Sequence, residues 1–308
     1  MTIKKILSGF LFRALRSIET YIFLLLMTAA SVLLIIDTEI NGGSELLYYM
    51  MSFSFILPSI ISFLYLVIFF SKIFREGILV NLTVSGHSKK EIFAASWLHS
   101  VCITVIYWSI YLAEVFIAAI IFEIPLQTDN VSLVRVFVCS FMLCLFFMTV
   151  TLSALFISRN SIITIIVTVC IAVLSIYAPA NIISALLNPE INPSKSDYAK
   201  LRAYYMDEKT DIEYRIDMED FSEKIYVNGK LFEYEGQKDP NALSGNRRIL
   251  AKNSLYLFPT SFYLIMFISY DYDSVVTSVP FYISTVTAVL YTVLVFSAGM
   301  FIFSRRDI

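Results

Sequence analysis

Six long apolar runs separated by polar connections dominate the hydrophobic pattern of this chain. A bilayer core of about 30 Å requires about 20 apolar residues in a helix that rises 1.5 Å per residue, so each run predicts a membrane span. The first and fifth runs are short, and we expect their helices to extend by several residues. The runs are residues 21–36, 46–70, 92–122, 136–157, 162–178 and 281–303.

The composition agrees with a membrane protein and isolates one polar insertion. Hydrophobic residues make up 58% of the chain and charged residues 16%, with a mean hydropathy of +0.74, whereas a soluble domain has about 25% charged residues. Residues 179–280 hold 26 of the 48 charged side chains, and the net charge of −2 offers no basic face for nucleic acid. The sequence therefore predicts an all-α polytopic membrane protein with six transmembrane helices, within residues 19–178 and 281–308.

The distribution of Lys and Arg predicts the topology. Eleven basic residues lie in the termini and in alternate connections, whereas the opposite short connections, residues 37–45 and 123–133, contain none. The positive-inside rule then places both termini in the cytoplasm and the insertion outside a multi-pass plasma-membrane protein. The basic residues are Lys4, Lys5, Arg13, Arg16, Lys72, Arg75, Lys89, Lys90, Arg159, Arg305 and Arg306.

Residues 1–18 show the periodicity of an amphipathic helix. Eight apolar residues share one helical face, and the four basic residues lie mostly off it. This pattern predicts an interfacial helix that lies flat at the cytoplasmic side of the membrane before the first span. An ordinary basic flank of that span is the alternative. The apolar residues are Ile3, Ile6, Leu7, Phe10, Leu11, Ala14, Leu15 and Ile18.

The cytoplasmic connection between the second and third spans, residues 71–91, carries helix signals. Ser88 and Glu91 form a capping box, which predicts that the third span begins as a helix at this point. Ahead of it, three apolar residues recur at helical spacing between two glycines. A short apolar-faced helix of this kind favours either the groove of a partner protein or the lipid interface. The apolar residues are Ile78, Leu79 and Leu82, and the glycines are Gly77 and Gly86.

This arrangement resembles the permease family of type-2 ABC exporters. Glu76-Gly77, a short apolar helix and then Ser-Lys-Lys-Glu-Ile at residues 88–92 look like the family's cytoplasmic coupling loop. The C-terminal Phe-Ser-Arg-Arg-Asp-Ile, residues 303–308, is similar to the family's ending, and Leu-Phe-Pro-Thr-Ser, residues 257–261, resembles its Pro-containing segment. The six-span order matches over nearly the whole chain. Gly86-His87 in place of Pro-hydrophobic and the 102-residue insertion depart from the family.

The resemblance implies a transport subunit without its own motor. Two permeases, identical or homologous, would pair in the lipid bilayer and line a path for a peptide, lipid or hydrophobic antibiotic with spans such as the second and fifth. Each would bind a cytoplasmic ABC ATPase that holds ATP and Mg²⁺. The sequence has no GxxxxGK[ST] loop, so we expect this chain to bind no cofactor and to be no enzyme. The implied ATPase-coupling residues are Phe74, Arg75, Glu76, Gly77, Ile78, Leu79, Leu82, Ser88, Lys89, Lys90 and Glu91.

Glu114 is the outstanding charge within a predicted span. Ionisable residues in spans are costly and often functional, so Glu114 is a candidate residue of a translocation pathway, with Arg135 as its candidate partner. A glutamate that reaches the outer interface is the alternative. Tyr107 and Tyr111 lie on the same predicted helix and are candidate lining residues, with an aromatic belt or core as the alternative.

No set of residues suited to catalysis or metal binding stands out. His99 and Cys102 provide two ligands, fewer than a zinc site needs, and the sequence has no HExxH or GxSxG motif. The second function hypothesis is a non-transporting membrane protein, an immunity factor or a sensor, that uses its external insertion. Association with a Walker-motif ATPase would distinguish the permease from this class.

The insertion predicts a small α+β extracytoplasmic cap between spans five and six. Residues 224–234 alternate in polarity around Asn228-Gly229, which indicates a β-hairpin with a type I′ turn. Residues 212–216 fit a third strand and residues 196–205 a short helix. The apolar run at residues 255–269 contains Pro259 and is too short for a span, which favours a segment that returns to the membrane surface. A structural lid fits this cap, and so does a substrate gate or a receptor for something outside.

Overall fold

The computed structural model describes residues 2–42, 56–122, 130–187, 212–217, 222–227, 230–232, 245–261 and 281–305. Within these ranges the helices are α1 (Thr2–Arg16), α2 (Ile18–Gly42), α3 (Ile56–Arg75), α4 (Ile78–Val84), α5 (Lys89–Ile121), α6 (Asn130–Ser158), α7 (Ser161–Leu187), α8 (Gly245–Ser254) and α9 (Phe281–Arg305). The strands are β1 (Ile212–Asp217), β2 (Ser222–Val227) and β3 (Lys230–Phe232).

Six of these helices, α2, α3, α5, α6, α7 and α9, are long and apolar enough to cross a membrane. This confirms the prediction of a polytopic, predominantly helical membrane protein with six spans. The first-span helix begins at Ile18 and the fifth-span helix ends at Leu187, so both short runs extend as expected. The beginning of the second predicted run, residues 46–55, lies outside the described residues.

The described chain divides into two compact units, one of Met1–Leu174 with Thr285–Ile308 and one of Ser175–Ser284. In the first unit α5 packs against α1, α2, α3 and α6, and α3 packs against α2 and α6. Aromatic rings fill this core. Phe156 of α6 lies 5.6 Å from Phe70 and 5.3 Å from Phe93, centroid to centroid, in edge-to-face geometry, an arrangement that aromatic pairs prefer.

Helix α1 packs against α5 with only part of its predicted apolar face. Ile6, Phe10 and Ala14 are buried at helical spacing of four residues, whereas Leu15 and Ile18 are 66% and 70% exposed. The sequence pattern gave one broad apolar face, and packing against α5 selects the part of it that becomes buried. Helix α1 is therefore an integral part of the first unit.

The last span, α9, approaches α6 closely at Gly299. A Cβ atom added at Gly299 would lie 2.8 Å from Cβ of Ser153 and 3.0 Å from a ring carbon of Phe93. The Ser153 hydroxyl donates a 3.3 Å hydrogen bond to the Val295 carbonyl. Small residues at such a contact let two helix backbones come together, as is typical of membrane helices.

In the second unit, α7 continues through Pro179, where the sequence predicted the end of the span. Proline has no backbone N–H, so the carbonyl of Ser175, four residues earlier, lacks its helical donor. The buried Thr260 hydroxyl donates a hydrogen bond to this carbonyl. The helix thus tolerates Pro179 because a residue 85 positions away from Ser175 in the chain supplies the missing donor.

The three strands form an antiparallel sheet in the order β1-β2-β3. Ile225 pairs with Phe232 and Val227 with Lys230, so the strands predicted on either side of the Asn228-Gly229 turn are paired, while the turn itself lies outside the described residues. The third predicted strand is present as β1 and pairs with β2 over its whole length.

The rest of the predicted cap agrees less completely. Helix α8 and the 3₁₀ turn Leu255–Leu257 that follows it were not predicted as helical. The predicted helix at residues 196–205 lies outside the described residues, as does the predicted membrane-returning run beyond Ser261.

Candidate functional site

The connection between the second and third spans, residues 76–88, consists of α4 and the two turns that flank it. We call this connection the elbow. Helix α3 ends at Arg75, and Gly77 takes a left-handed conformation with φ of 67°, in which glycine avoids the steric penalty of a side chain. The Gly77 N–H donates to the Phe74 carbonyl at 3.1 Å, and the Gly77 carbonyl accepts from Asn81 at 3.0 Å. The chain therefore leaves α3 and enters α4 within two residues.

The end of α4 is closed by a Schellman motif at Gly86. Gly86 has φ of 89°, its N–H donates to Thr83 at 3.0 Å, and the N–H of His87 donates to Leu82 at 3.1 Å. These two bonds satisfy carbonyls that the helix end would leave open. Both glycines that the sequence singled out thus bound α4.

The third span begins with the predicted capping box, which is confirmed. The Glu91 N–H donates to the Ser88 hydroxyl at 3.2 Å, and the Ser88 N–H donates to the Glu91 carboxylate at 2.9 Å. Such reciprocal bonds fix the start of a helix. Helix α4 is therefore joined to the 33-residue helix α5 by a short link with defined hydrogen bonds at both ends.

The outward face of α4 differs from the predicted one. Leu79 is buried against the chain itself, whereas Val80 and Val84 are 45% and 82% exposed. Ile78 and Leu82 are half-buried. Val80 and Val84 lie four residues apart and so share one helix face. Sequence reasoning missed this pair, because the heavier Ile78-Leu79-Leu82 cluster dominated the pattern.

The other predicted coupling residues divide between contacts within the chain and solvent. Phe74 packs edge-on against Phe156 at 5.2 Å. Arg75, Ser88 and Lys90 are exposed. The predicted coupling surface therefore contains residues of both kinds, and its exposed members, with Glu76 among them, are accessible to another protein.

Two ion pairs connect the beginning of the chain to α3 and the elbow. Arg13 of α1 pairs with Glu76, and Lys72 of α3 pairs with Glu19 of α2 at 2.7 Å. The side chains are 22–42% exposed, so each pair contributes little stability on its own. Their importance is geometric, since Glu76, a predicted ATPase-coupling residue, is exposed and also contacts α1.

The predicted pathway residues lie inside the helix bundle of the first unit. Tyr107 and Tyr111 are 1% and 0% exposed, and Tyr107 packs edge-on to Tyr65 with centroids 6.1 Å apart. Their burial favours the aromatic-core alternative over an open lining. Glu114 is half-buried and accepts a hydrogen bond from Ser31 of α2. The side chain of Arg135, its predicted partner, lies outside the described residues.

His99 occupies an aromatic cage in the same bundle. Its ring stacks on Phe69 at 4.7 Å and lies at an angle to Phe10 and Phe70. Its Nδ1 has no hydrogen-bond partner among the described residues, and the Tyr65 hydroxyl lies 3.5 Å from Nε2. In the described part of the chain no cluster of three metal-ligating side chains occurs. His99 is therefore a packed residue of the core.

Comparisons with protein-family models, with curated proteins and with solved structures give no match to this chain.

Proposed function

We propose that this chain is the permease subunit of an ATP-driven ABC exporter in the plasma membrane, with both termini in the cytoplasm. The observation that carries the proposal is the elbow around α4. A seven-residue helix is held by left-handed glycines at both ends, capped onto a membrane span, and presents Val80 and Val84 outward. An exposed apolar pair on a short, fixed helix suits insertion into a groove of a partner protein.

The partner in this proposal is a cytoplasmic ABC ATPase. ATP and Mg²⁺ bind to that subunit, and this chain contributes no chemical step. A movement of α4 would be transmitted to α5 through the capped link and to α3 through Gly77. The spans would then change from one packing arrangement to another. Hinge and shear motions of this kind are known in other proteins that switch between two states.

A second permease, identical or homologous, completes the proposed transporter. Helix α7 exposes large apolar side chains along much of its length, with Ile162, Ile166 and Val173 between 55% and 68% exposed. Such a face is suited to lipid and to pairing with another apolar helix. The cargo classes are peptides, lipids and hydrophobic antibiotics, and the insertion forms an α+β cap on the extracytoplasmic side.

The test is recovery of a Walker-motif ATPase with the affinity-purified full chain in mild detergent, identified by mass spectrometry. Val84→Arg places a charge on the outward face of α4, and we expect it to lower ATPase recovery by about tenfold or more, because a charge buried in an apolar contact is heavily penalised. Val84→Thr is the matched control, since it keeps the shape and neutrality of the side chain.

Expression and melting temperature of the three proteins should agree, because Val84 makes few contacts in the free chain. The proposal fails if the wild-type chain recovers no Walker-motif ATPase. It also fails if Val84→Arg and Val80→Arg recover as much ATPase as Val84→Thr does.

A further inference from the structure

Two neighbouring cavities lie at the end of the helix bundle that carries the elbow. The smaller, of about 290 Å³, lies beside α4 and is lined in part by Leu79 and Phe303. The larger, of about 580 Å³, lies between the ends of α3 and α7. Both are lined by Phe74, Arg75 and Arg159. The two arginines therefore stand at the junction of the cavities.

The described residues that line this junction carry positive charge. Arg75 and Arg159 are the charged residues among the described lining residues, and none of those lining residues is acidic. Guanidinium groups match the geometry of phosphate oxygens and form charge-assisted hydrogen bonds with them. The junction is suited to an anionic phosphate group.

The wall of the larger cavity is apolar and belongs to membrane spans. Ile68 of α3 and Ile162 and Ile165 of α7 line it, and they are 44%, 68% and 38% exposed. All three lie within helices that can cross a membrane. A cationic junction joined to an apolar wall at the end of two spans matches the chemistry of an anionic lipid, whose phosphate would lie at the junction and whose acyl chain would lie along the wall.

The backbone at Arg159 supports a role for its side chain. Arg159 is the described non-glycine residue with positive φ, at 53°, and its N–H closes α6 by donating to the Leu155 carbonyl at 2.8 Å. Helices commonly end with glycine in this position, because a side chain is strained there. The side chain of Asn160 caps α7 through the Ile162 N–H at 2.8 Å.

We propose that Arg75 and Arg159 bind the phosphate of an anionic phospholipid whose acyl chain lies along Ile68, Ile162 and Ile165 between α3 and α7. The bound lipid lies beside the elbow, at the ends of α3 and α7. This proposal does not rest on the proposed transport function, since it requires neither an ATPase nor a cargo.

The test is native mass spectrometry of the full chain in detergent with dioleoyl phosphatidylglycerol, dioleoyl phosphatidylcholine or inorganic phosphate. We expect a one-to-one phosphatidylglycerol adduct for the wild-type chain. Arg159→Gly removes the guanidinium and relieves the backbone strain, so it should weaken the adduct on the order of tenfold while the melting temperature stays equal or rises. Arg159→Lys keeps the charge and should retain part of the binding.

Arg16→Gln is the matched charge control. Arg16 is exposed on α1, three residues after Arg13, which pairs with Glu76, and it does not line either cavity. This variant should therefore bind phosphatidylglycerol as the wild type does. Equal binding of phosphatidylcholine, or of inorganic phosphate alone, would overturn the assignment to an anionic lipid. Unchanged binding by Arg159→Gly, or equal loss in Arg16→Gln, would overturn the assignment to this cavity. Loss of a partner protein from Arg159→Gly with lipid binding intact would also overturn it, since the junction would then be a protein contact.

Discussion

The hydrogen bond from Thr260 to the Ser175 carbonyl should hold the segment after α8 to the Pro179 region of α7. Thr260→Val removes the donor and keeps the shape of a side chain that is fully buried. The carbonyl then has neither the helical N–H that Pro179 lacks nor the hydroxyl. Removing one partner of a buried hydrogen bond lowers the stability of the segment by about 1–2 kcal/mol.

Pro179→Ala turns this expectation into a double-mutant cycle. Alanine restores an N–H that can donate to the Ser175 carbonyl in the ordinary helical bond, so the Thr260 hydroxyl is no longer the required donor. In this background Thr260→Val should lower the stability by less than about 0.5 kcal/mol. The coupling free energy between the two sites is then on the order of 1 kcal/mol.

Hydrogen exchange of the full chain in detergent micelles, followed by mass spectrometry, measures this locally. We expect Thr260→Val to speed exchange in peptides that cover residues 255–261 by about 5–30-fold, and much less when residue 179 is alanine. Ser261→Ala is the control, because the Ser261 hydroxyl donates to Leu255 at 2.7 Å independently of Pro179. If Thr260→Val has the same effect in both backgrounds, Thr260 does not compensate for Pro179 and the reasoning is wrong.

Three further predictions concern the first unit and can be measured on the full chain in detergent. Gly299→Ala should lower the free energy of unfolding by about 1–3 kcal/mol through overpacking against α6, whereas Gly9→Ala, where nothing lies within 4 Å of the new Cβ, should leave it unchanged or raise it by up to about 1 kcal/mol; equal effects would refute the close contact. His99→Phe should raise the melting temperature, because Nδ1 has no hydrogen-bond partner among the residues that the structure describes, and His99→Ala should lower stability by about 2–4 kcal/mol; a strong loss in His99→Phe would show that the imidazole is needed. Ser88→Ala should weaken the start of α5 by about 1 kcal/mol, seen as faster exchange of the amides at residues 89–92, and unchanged exchange there would contradict the capping box.

The spans and the elbow could be predicted because their causes are local in sequence. In a bilayer every backbone polar group must be bonded within its own helix, so a run of about 20 apolar residues is close to sufficient evidence for a span. Ser88 and Glu91 meet because they are three residues apart in a helix start. Gly77 and Gly86 mark left-handed turns because other residues are strained there.

The remaining features depend on contacts between distant residues. The sequence pattern of α1 does not show whether lipid or α5 covers Phe10, because contact with either one favours an apolar side chain. From the sequence alone, Pro179 predicts the end of a helix. The helix continues because the Thr260 hydroxyl donates to the Ser175 carbonyl in place of the N–H that proline lacks. The outward pair Val80 and Val84 became visible only when Leu79 was found to be buried.

The ion pair of Glu76 with Arg13 connects α1 to the elbow. Helix α1 therefore belongs with α4 and α5 to the part of the chain that we expect to move in the proposed transporter. Arg13 pairs with Glu76 at the elbow, while Phe10, one helical turn earlier, packs against Phe70 and His99 of α3 and α5. Helix α4 is therefore connected to α5 in two ways, directly through the capped link at Ser88 and indirectly through α1. Because the Arg13–Glu76 pair is partly exposed and weak, the packing of Phe10 against Phe70 and His99 is the stronger of the two contacts of α1. Under the proposed function, we expect α1 to move together with α3 and α5, against which Phe10 packs.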